Sequence, residues 1–224
     1  MTGSVTNRAV SRRGLLLALA FALCAIVAPR ISAAEPLRIV ALGDSLMAGY
    51  GLAEKEGFPA KLQAALRTKG HDVEVINAGV SGDTASGGLA RLDWSVPKDA
   101  SAVILELGAN DALRAVNPAE TRKALDEALR RLRERKLEVL LAGMLAPPNL
   151  GADYSTAFDR IYPELAQKHG VLLYPFFLDG VAAVEKLNQR DGIHPTAAGI
   201  DVIVERILPA VEKLIAQSRA NQKD

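Results

Sequence analysis

Short apolar runs alternate with longer amphipathic segments along most of the chain. Five runs are apolar or nearly so, as expected for strands that are buried on both faces: Leu37–Leu42, Val73–Ile76, Ala102–Leu107, Leu137–Gly143 and Val171–Tyr174. Four segments carry apolar residues at helical spacing: Phe58–Lys69, Pro118–Lys136, Ser155–His169 and Thr196–Ala216. Strands that alternate with helices predict the α/β fold class, with a parallel sheet covered by helices on both faces.

The first 34 residues depart from this pattern. Three arginines precede the apolar stretch Leu15–Ala28, and the small residues Ser32-Ala33-Ala34 follow it. This order is typical of a secretory signal peptide, and the stretch is shorter than the roughly 20 residues that a membrane span needs. The paired arginines also resemble a twin-arginine signal. We therefore predict a signal peptide over 1–34, export to the periplasm or the medium, and a single domain over 35–224, with an uncleaved anchor as the alternative.

Removal of that segment changes the charge and the cysteine content. It holds four of the 27 basic residues and none of the 26 acidic ones, so the mature chain has a net charge of −3. A mildly acidic chain gives no support for a nucleic-acid partner. The only cysteine, Cys24, lies in the same segment. The mature chain is therefore predicted to have no disulfide, no thiol nucleophile and no thiolate metal ligand.

A serine and a histidine–carboxylate pair lie near opposite ends of the mature chain. Ser45 directly follows the first predicted strand, and Asp191 and His194 are three residues apart in one turn. A serine hydroxyl becomes a nucleophile when a base removes its proton and a third group orients that base. Asp44 is too close to Ser45 in sequence to orient the histidine, so we predict a turn role for it. These residues alone leave open the alternative that Ser45 and Asp191 cap helices.

The two other histidines do not suggest a metal site. His71 and His169 lie at polar element boundaries, where we expect them to be solvated. No two histidines have the spacing of a metal-binding pair. The sequence therefore predicts no metal and no cofactor.

Two further strand ends carry groups that could stabilise an oxyanion. The loop after the second strand contains Gly82, which could expose its backbone N–H, and the third strand is followed by Asn110, whose amide could donate. Glycine and asparagine also occur in ordinary turns. In a parallel sheet the strand ends meet at one edge, so these loops and that of Ser45 are expected to form one site.

The motifs around these residues resemble those of the SGNH (GDSL) hydrolases, and more closely the bacterial secreted arylesterase and acyl-CoA thioesterase/lysophospholipase branch. The resemblance covers nearly the whole mature chain, residues 35–224. It is carried by Gly43-Asp44-Ser45-Leu46 with Gly49-Tyr50, Ser81-Gly82-Asp83-Thr84, Leu105-Glu106-Leu107-Gly108 with Asn110-Asp111, Ile161-Tyr162-Pro163, Pro175-Phe176-Phe177 and Asp191-Gly192-Ile193-His194-Pro195.

The resemblance implies a three-layer α/β/α flavodoxin-like fold with a five-stranded parallel sheet in the order 2-1-3-4-5. It implies that Ser45 is the nucleophile, His194 the general base and then acid, and Asp191 the residue that orients it. The oxyanion donors would be the N–H groups of Ser45 and Gly82 and the side chain of Asn110.

The same resemblance implies hydrolysis of a small-molecule ester or thioester, without stable membrane insertion of the mature chain. Residues 111–116 and 144–150 are expected to shape the acyl pocket. Ala109 stands where close relatives often have a second glycine, which puts the detail of the Asn110 loop in doubt. Two alternatives remain: a carbohydrate O-deacetylase, although Trp94 is the only tryptophan available for a sugar platform, and a non-catalytic binding module. The oligomeric state is not predicted.

Overall fold

The structure of the protein is a computed structural model that describes residues 1–3 and 35–221. Pro36–Asp224 make up one compact unit. The signal peptide predicted over 1–34, with Cys24, therefore lies almost wholly outside the described residues. Within those residues, no helix is both long and apolar enough to cross a membrane.

Five strands form a single parallel sheet in the described part of the chain. Its order is β2-β1-β3-β4-β5, which confirms the predicted fold class and strand order. The strands are β1 (Leu37–Gly43), β2 (Val73–Gly79), β3 (Ala102–Glu106), β4 (Glu138–Ala142) and β5 (Leu172–Tyr174). Two of the three inner strands, β3 and β4, are buried at every position, as expected in a sheet covered on both faces.

Eight α-helices and three short 3-10 helices connect and flank these strands in the described residues. The α-helices are α1 (Ser45–Ala48), α2 (Phe58–Thr68), α3 (Ala85–Ser95), α4 (Ala109–Leu113), α5 (Pro118–Glu134), α6 (Ala152–Asp159), α7 (Ile161–His169) and α8 (Ala197–Asn221). The 3-10 helices are Glu54–Glu56, Pro148–Leu150 and Glu185–Leu187.

The strand order determines which helices share a face of the sheet. The chain steps one way from β1 to β2 and then the other way through β3, β4 and β5, and parallel crossovers are right-handed. The first crossover helix, α2, therefore lies on the opposite face from α3, α5 and α7. The packing agrees, since α2 contacts α8 while α5 contacts α3 and α7.

The single helix predicted over Ser155–His169 is in fact two helices. It begins earlier, at Ala152, and it is interrupted at Arg160 between α6 and α7. Pro163 accounts for the break, because a proline has no N–H for the carbonyl four residues back and its ring crowds that carbonyl. Ser155 does not cap the helix; its hydroxyl donates to the carbonyl oxygen of Gly151.

Helix α3 was not predicted because Gly87 and Gly88 weaken its helical pattern. Gly88 has a packing reason to be glycine, since a Cβ there would lie closer than 3.0 Å to the side chain of Leu107. Tight packing against the end of β3 therefore outweighs the low helix propensity of this segment.

A second close approach holds α1 against the sheet. At the end of β2, a Cβ on Gly79 would lie closer than 3.0 Å to backbone atoms of Met47 and Ala48. Backbone cannot move aside as a flexible side chain can, so the position of α1, which begins at Ser45, depends on the small size of residue 79.

We therefore expect Gly79→Ala to lower the free energy of unfolding by about 1–3 kcal/mol, the usual cost of overpacking. Urea denaturation followed by circular dichroism measures the loss. The matched control is Gly57→Ala, where φ is −69° and the nearest atom to a new Cβ is 3.4 Å away. That control is expected to cost less than about 1 kcal/mol. Equal stability of both variants would contradict the packing argument.

Candidate active site

The residues singled out in the sequence meet at the carboxyl edge of the sheet. The order in which the strands are added to the sheet reverses between β1 and β3, and clefts form at such a point in parallel sheets. Ser45 follows β1, Gly82 lies in the loop after β2, Asn110 is in α4 directly after β3, and the loop of Asp191 and His194 precedes α8.

A continuous chain of hydrogen bonds joins Ser45, His194 and Asp191. The Oγ atom of Ser45 lies 2.9 Å from Nε2 of His194, and Nδ1 of the same ring lies 2.7 Å from Oδ2 of Asp191. The tautomer with the proton on Nδ1 satisfies both contacts, because Nδ1 then donates to the carboxylate and Nε2 accepts from the hydroxyl. In this geometry a histidine can remove the proton of the serine.

The loop that carries the histidine is a tight turn closed by its own hydrogen bonds. Oδ1 of Asp191 accepts from the backbone N–H groups of Ile193 (2.9 Å) and His194 (3.0 Å). The N–H of Gln189 donates to the carbonyl of His194, and Gly192 supplies the positive φ of 71°. The bonds from the backbone and ring of His194 lower the pKa of Asp191 to about 2. The carboxylate is therefore ionised throughout the neutral range.

Asp44 has the turn role predicted for it. Its Oδ1 accepts from the N–H of Leu46 at 3.0 Å, which caps the helix that begins at Ser45. Its Oδ2 accepts from Nδ2 of Asn110, also at 3.0 Å. The amide nitrogen of Asn110 has two hydrogens, so one is left for another acceptor.

The Gly82 loop is tied to α4 and the residue that follows it. Arg114 donates to the carbonyl of Gly82 at 3.0 Å, and the buried carboxylate of Asp111 accepts from the N–H of Ala85 at 2.8 Å. Gly82 has a φ of 86°, which suits glycine. These contacts fix the loop of Gly82 relative to Asn110 and bring both predicted oxyanion donors to the same edge.

The carboxyl groups of Asp44 and Glu106 are both buried next to Ser45, and Glu106 had no predicted role. Burial raises the pKa of Asp44 to about 6. Burial, and then the charge of Asp44, raises the pKa of Glu106 well above its usual range. Oε1 of Glu106 has no hydrogen-bond partner in the described residues. The sequence contained one sign of a special role for this residue: it is a glutamate inside the apolar run of the third strand.

A buried arginine, to which the sequence motifs give no role, also lies at this edge. Arg91 in α3 donates to the carbonyl oxygens of Gly43 and Ala78, both at 2.8 Å, and to the carboxylate of Asp83 at 2.5 Å. It thereby joins the end of β1, the end of β2 and the loop that follows β2. Arginine suits this position because its guanidinium holds several donors in one rigid plane.

An apolar cavity of about 370 Å³ opens beside these groups. Its wall includes Ala109, next to Asn110, and Ile193, next to His194. The segments predicted to shape a pocket, 111–116 and 144–150, contribute to it. From them come Ala112, Leu113, Met144, Leu145, Ala146, Pro147 and Pro148.

The other two histidines are further from solvent than predicted. The side chain of His169 is 11% exposed and pairs with Asp126, and that of His71 is 21% exposed and pairs with Glu212. Both are thus partly buried residues that contact a carboxylate rather than solvated ones. No group of three or more metal-binding side chains occurs in the residues that the structure describes.

Comparison with known proteins identifies what this site resembles. Residues 41–202 match the GDSL-like Lipase/Acylhydrolase family. Esterase TesA of Pseudomonas aeruginosa is 40% identical over 204 residues, which cover 91% of this chain and all of that protein. Thioesterase 1/protease 1/lysophospholipase L1 of Escherichia coli K12 is 37% identical over 187 residues, 83% of this chain and 88% of that one.

A solved structure gives the same result for the fold. AlinE4, described as an SGNH-hydrolase family esterase, is 49% identical with a TM-score of 0.69, over 80% of this chain and 96% of that one. The resemblance predicted from the sequence motifs is therefore confirmed.

The raised pKa of Glu106 predicts how stability changes with pH. The pKa of such a carboxyl is higher in the folded than in the unfolded chain. It therefore stabilises the fold fully at pH values below its ordinary pKa of 4.5, and this contribution is lost as the pH rises. Glu106→Gln cannot ionise, so the variant should gain stability relative to the wild type between about pH 5 and 8. Urea denaturation at several pH values measures the difference.

The matched control for this titration is Glu205→Gln, at an exposed position of α8. Its stability difference from the wild type should stay constant over the same range. A constant difference for Glu106→Gln as well would mean that the folded state does not hold Glu106 in its protonated form.

Proposed function

We propose that this chain, which belongs to the GDSL-like Lipase/Acylhydrolase family, hydrolyses carboxylic esters through an acyl-enzyme formed on Ser45. The observation that carries the proposal is the unbroken chain of hydrogen bonds from Asp191 through His194 to Ser45. A binding module would have no use for these hydrogen bonds beside three groups that could donate to an oxyanion.

The proposed reaction has two acyl-transfer steps. Oγ of Ser45 attacks the ester carbonyl carbon as its proton passes to Nε2 of His194. The bond to the leaving group then breaks, and His194 returns the proton to the departing alcohol. Water attacks the acyl-enzyme in the same way, with His194 again as base and then acid, and this step releases the carboxylic acid and restores Ser45. Asp191 holds the imidazole and stabilises its positive charge.

Three donors are proposed for the oxyanion of each tetrahedral intermediate: the N–H groups of Ser45 and Gly82 and the side chain of Asn110. The contact of Asn110 with Asp44 supports this role, since it fixes the amide before substrate arrives. A donor that is already oriented does not have to reorganise as the negative charge develops.

The apolar cavity supports an acyl chain as the group that the site binds. Its wall is formed largely by aliphatic and aromatic side chains, among them Leu113, Met144 and Phe176. The same attack by Ser45 would cleave a thioester, with a thiol as the leaving group. The relative from Escherichia coli is named a thioesterase and lysophospholipase as well as a protease. We propose esters first and thioesters second.

A substrate panel separates this proposal from the carbohydrate O-deacetylase alternative. Purified enzyme would be assayed with aryl esters of increasing chain length, acyl-CoAs, lysophospholipids and acetylated xylan. A site with an apolar wall should favour acyl chains longer than acetyl. Preference for acetylated xylan over all aryl esters would favour the deacetylase instead.

We also propose, from the sequence of residues 1–34 alone, that the protein is exported to the periplasm or the medium. The basic, apolar and small residues follow one another in the order of a signal peptide. The paired arginines leave the twin-arginine route as an alternative to general secretion. The net charge of −3 expected for the mature chain gives no support for nucleic acid as a partner.

Ser45→Ala is expected to abolish turnover of a short aryl ester, because no other group supplies the attacking oxygen. Initial rates with p-nitrophenyl butyrate and labelling by a fluorophosphonate measure the loss. Ser155→Ala is the matched control, since the hydroxyl of Ser155 donates to the carbonyl of Gly151, directly before α6, and Ser155 does not line the cavity. Undiminished turnover by Ser45→Ala would rule out the proposed acyl-enzyme.

Asn110→Ala is expected to lower kcat by roughly 10²–10³ while KM changes little, because an oxyanion donor acts mainly in the transition state. Steady-state kinetics on the same ester separate the two constants. Asn117→Ala, which removes the exposed cap of α5, is the control. If KM rose strongly and kcat stayed normal, Asn110 would instead bind the substrate in its ground state.

A further inference from the structure

The segment Gly49-Tyr50-Gly51 joins the serine and histidine parts of the site through its backbone. The N–H of Tyr50 donates to the carbonyl of Ser45 at 3.1 Å. The carbonyl of Tyr50 accepts from Nε2 of Gln189 at 2.7 Å, and Gln189 belongs to the loop of His194. One residue is therefore bonded to α1 on one side and to the histidine loop on the other.

The glycines on either side allow this path. Gly49 has a φ of 79° and Gly51 a φ of 73°, a region that residues with a Cβ rarely adopt. A Cβ at Gly51 would also lie closer than 3.0 Å to Oε1 of Gln189. The backbone turns sharply before and after Tyr50, and this turn places the aromatic side chain over the site.

The ring of Tyr50 lies against the imidazole of His194. The two ring centroids are 4.4 Å apart and the planes are inclined by 34°. The side chain of Tyr50 is about half exposed, so burial in the core does not explain its position. Hydrogen bonds at Nδ1 and Nε2 constrain the imidazole within its own plane, whereas an aromatic face beside it also opposes tilting out of that plane.

Gln189 secures this arrangement from the histidine loop. Its Nε2 also donates to the carbonyl of Pro195 at 3.0 Å, and its backbone N–H donates to the carbonyl of His194 at 2.7 Å. Gln189 is thus bonded to Tyr50 and to the backbone on the carboxyl side of His194.

We propose that Tyr50 is a positioning residue for the general base: its ring holds the His194 imidazole against Ser45 and stabilises the imidazolium that forms when the Ser45 proton is transferred. This inference rests on the proposed serine hydrolase mechanism. The face of an aromatic ring attracts a cation, so the contact is stronger with imidazolium than with neutral imidazole. The interaction therefore favours both transition states more than the resting enzyme.

The ring and the peptide groups make these contacts, so the hydroxyl of Tyr50 is not needed. Tyr50→Phe should keep kcat within about twofold of the wild type. Tyr50→Leu should lower kcat by roughly 5- to 30-fold, the range expected for a partly desolvated cation–π contact. KM and the midpoint of urea denaturation should change little, since neither the cavity nor the core loses a side chain.

Inactivation by a fluorophosphonate gives a readout that a purely structural role would not move. It reports attack by Ser45 alone, so its rate constant should fall in Tyr50→Leu by about the same factor as kcat. Trp94→Leu is the matched control, because Trp94 is an aromatic residue 74% exposed in α3, outside the site. Its kinetics should equal those of the wild type.

Gln189→Ala provides a second test that keeps the ring. It should lower kcat by a smaller factor than Tyr50→Leu, and the double variant should lose less than the product of the two factors, because both act on the same imidazole. If Ser45→Ala remained active, the proposed function and this inference would both fail. If Ser45→Ala were inactive while Tyr50→Leu kept its kcat, or lost affinity alone, only the role of Tyr50 would be wrong.

Discussion

The arrangement of the site depends on the hydrogen bonds that the buried carboxylate of Asp44 accepts. This carboxylate caps the helix that begins at Ser45 and holds the amide of Asn110, so it fixes the proposed nucleophile and one proposed oxyanion donor relative to each other. Burying it is costly, as its raised pKa indicates. Glu106, buried beside it, adds to that cost. The burial of Asp44 has a structural reason despite this cost, because its carboxylate holds the helix of Ser45 and the side chain of Asn110 together.

Arg91 also holds several elements together at this edge of the sheet. The carbonyl oxygen of Gly43 accepts from the N–H of Val80 at 3.0 Å, and it and the carbonyl oxygen of Ala78 also bind side-chain donors at this edge. A guanidinium supplies them from α3 while it is neutralised by Asp83. The loop of Gly82 is then held on one side by this ion pair and on the other by Arg114. The buried guanidinium of Arg91 is thus paired with a carboxylate, in contrast to Glu106, whose Oε1 has no hydrogen-bond partner in the described residues.

The hydrophobic pattern was sufficient to predict all five strands, because each is a short apolar run between polar turns. The order of the strands in the sheet was implied by the family resemblance, because apolar runs alone do not indicate which strands are neighbours. Helix α3 and the break at Arg160 were missed for local reasons: two glycines obscure the first, and Pro163 causes the second. The roles of Glu106 and Arg91 arise from tertiary contacts, and no local spacing predicts such contacts. The triad residues could be proposed from the sequence, because their motifs contain the serine, the histidine and the carboxylate that the reaction needs.

The two halves of the site are stabilised in different ways. Ser45 is 8% exposed, and its helix packs against Gly79 and is capped by a buried carboxylate, so its position depends on the core. The side chains of His194 and Asp191 are 18% and 37% exposed and lie on a loop closed by its own turn. Core packing does little to position such a loop. Its geometry must come from bonds within the loop, those of Gln189 among them, and from Tyr50, which contacts the loop from the segment after α1. Changes near Ser45 should therefore affect stability together with activity, whereas changes near His194 should affect activity alone.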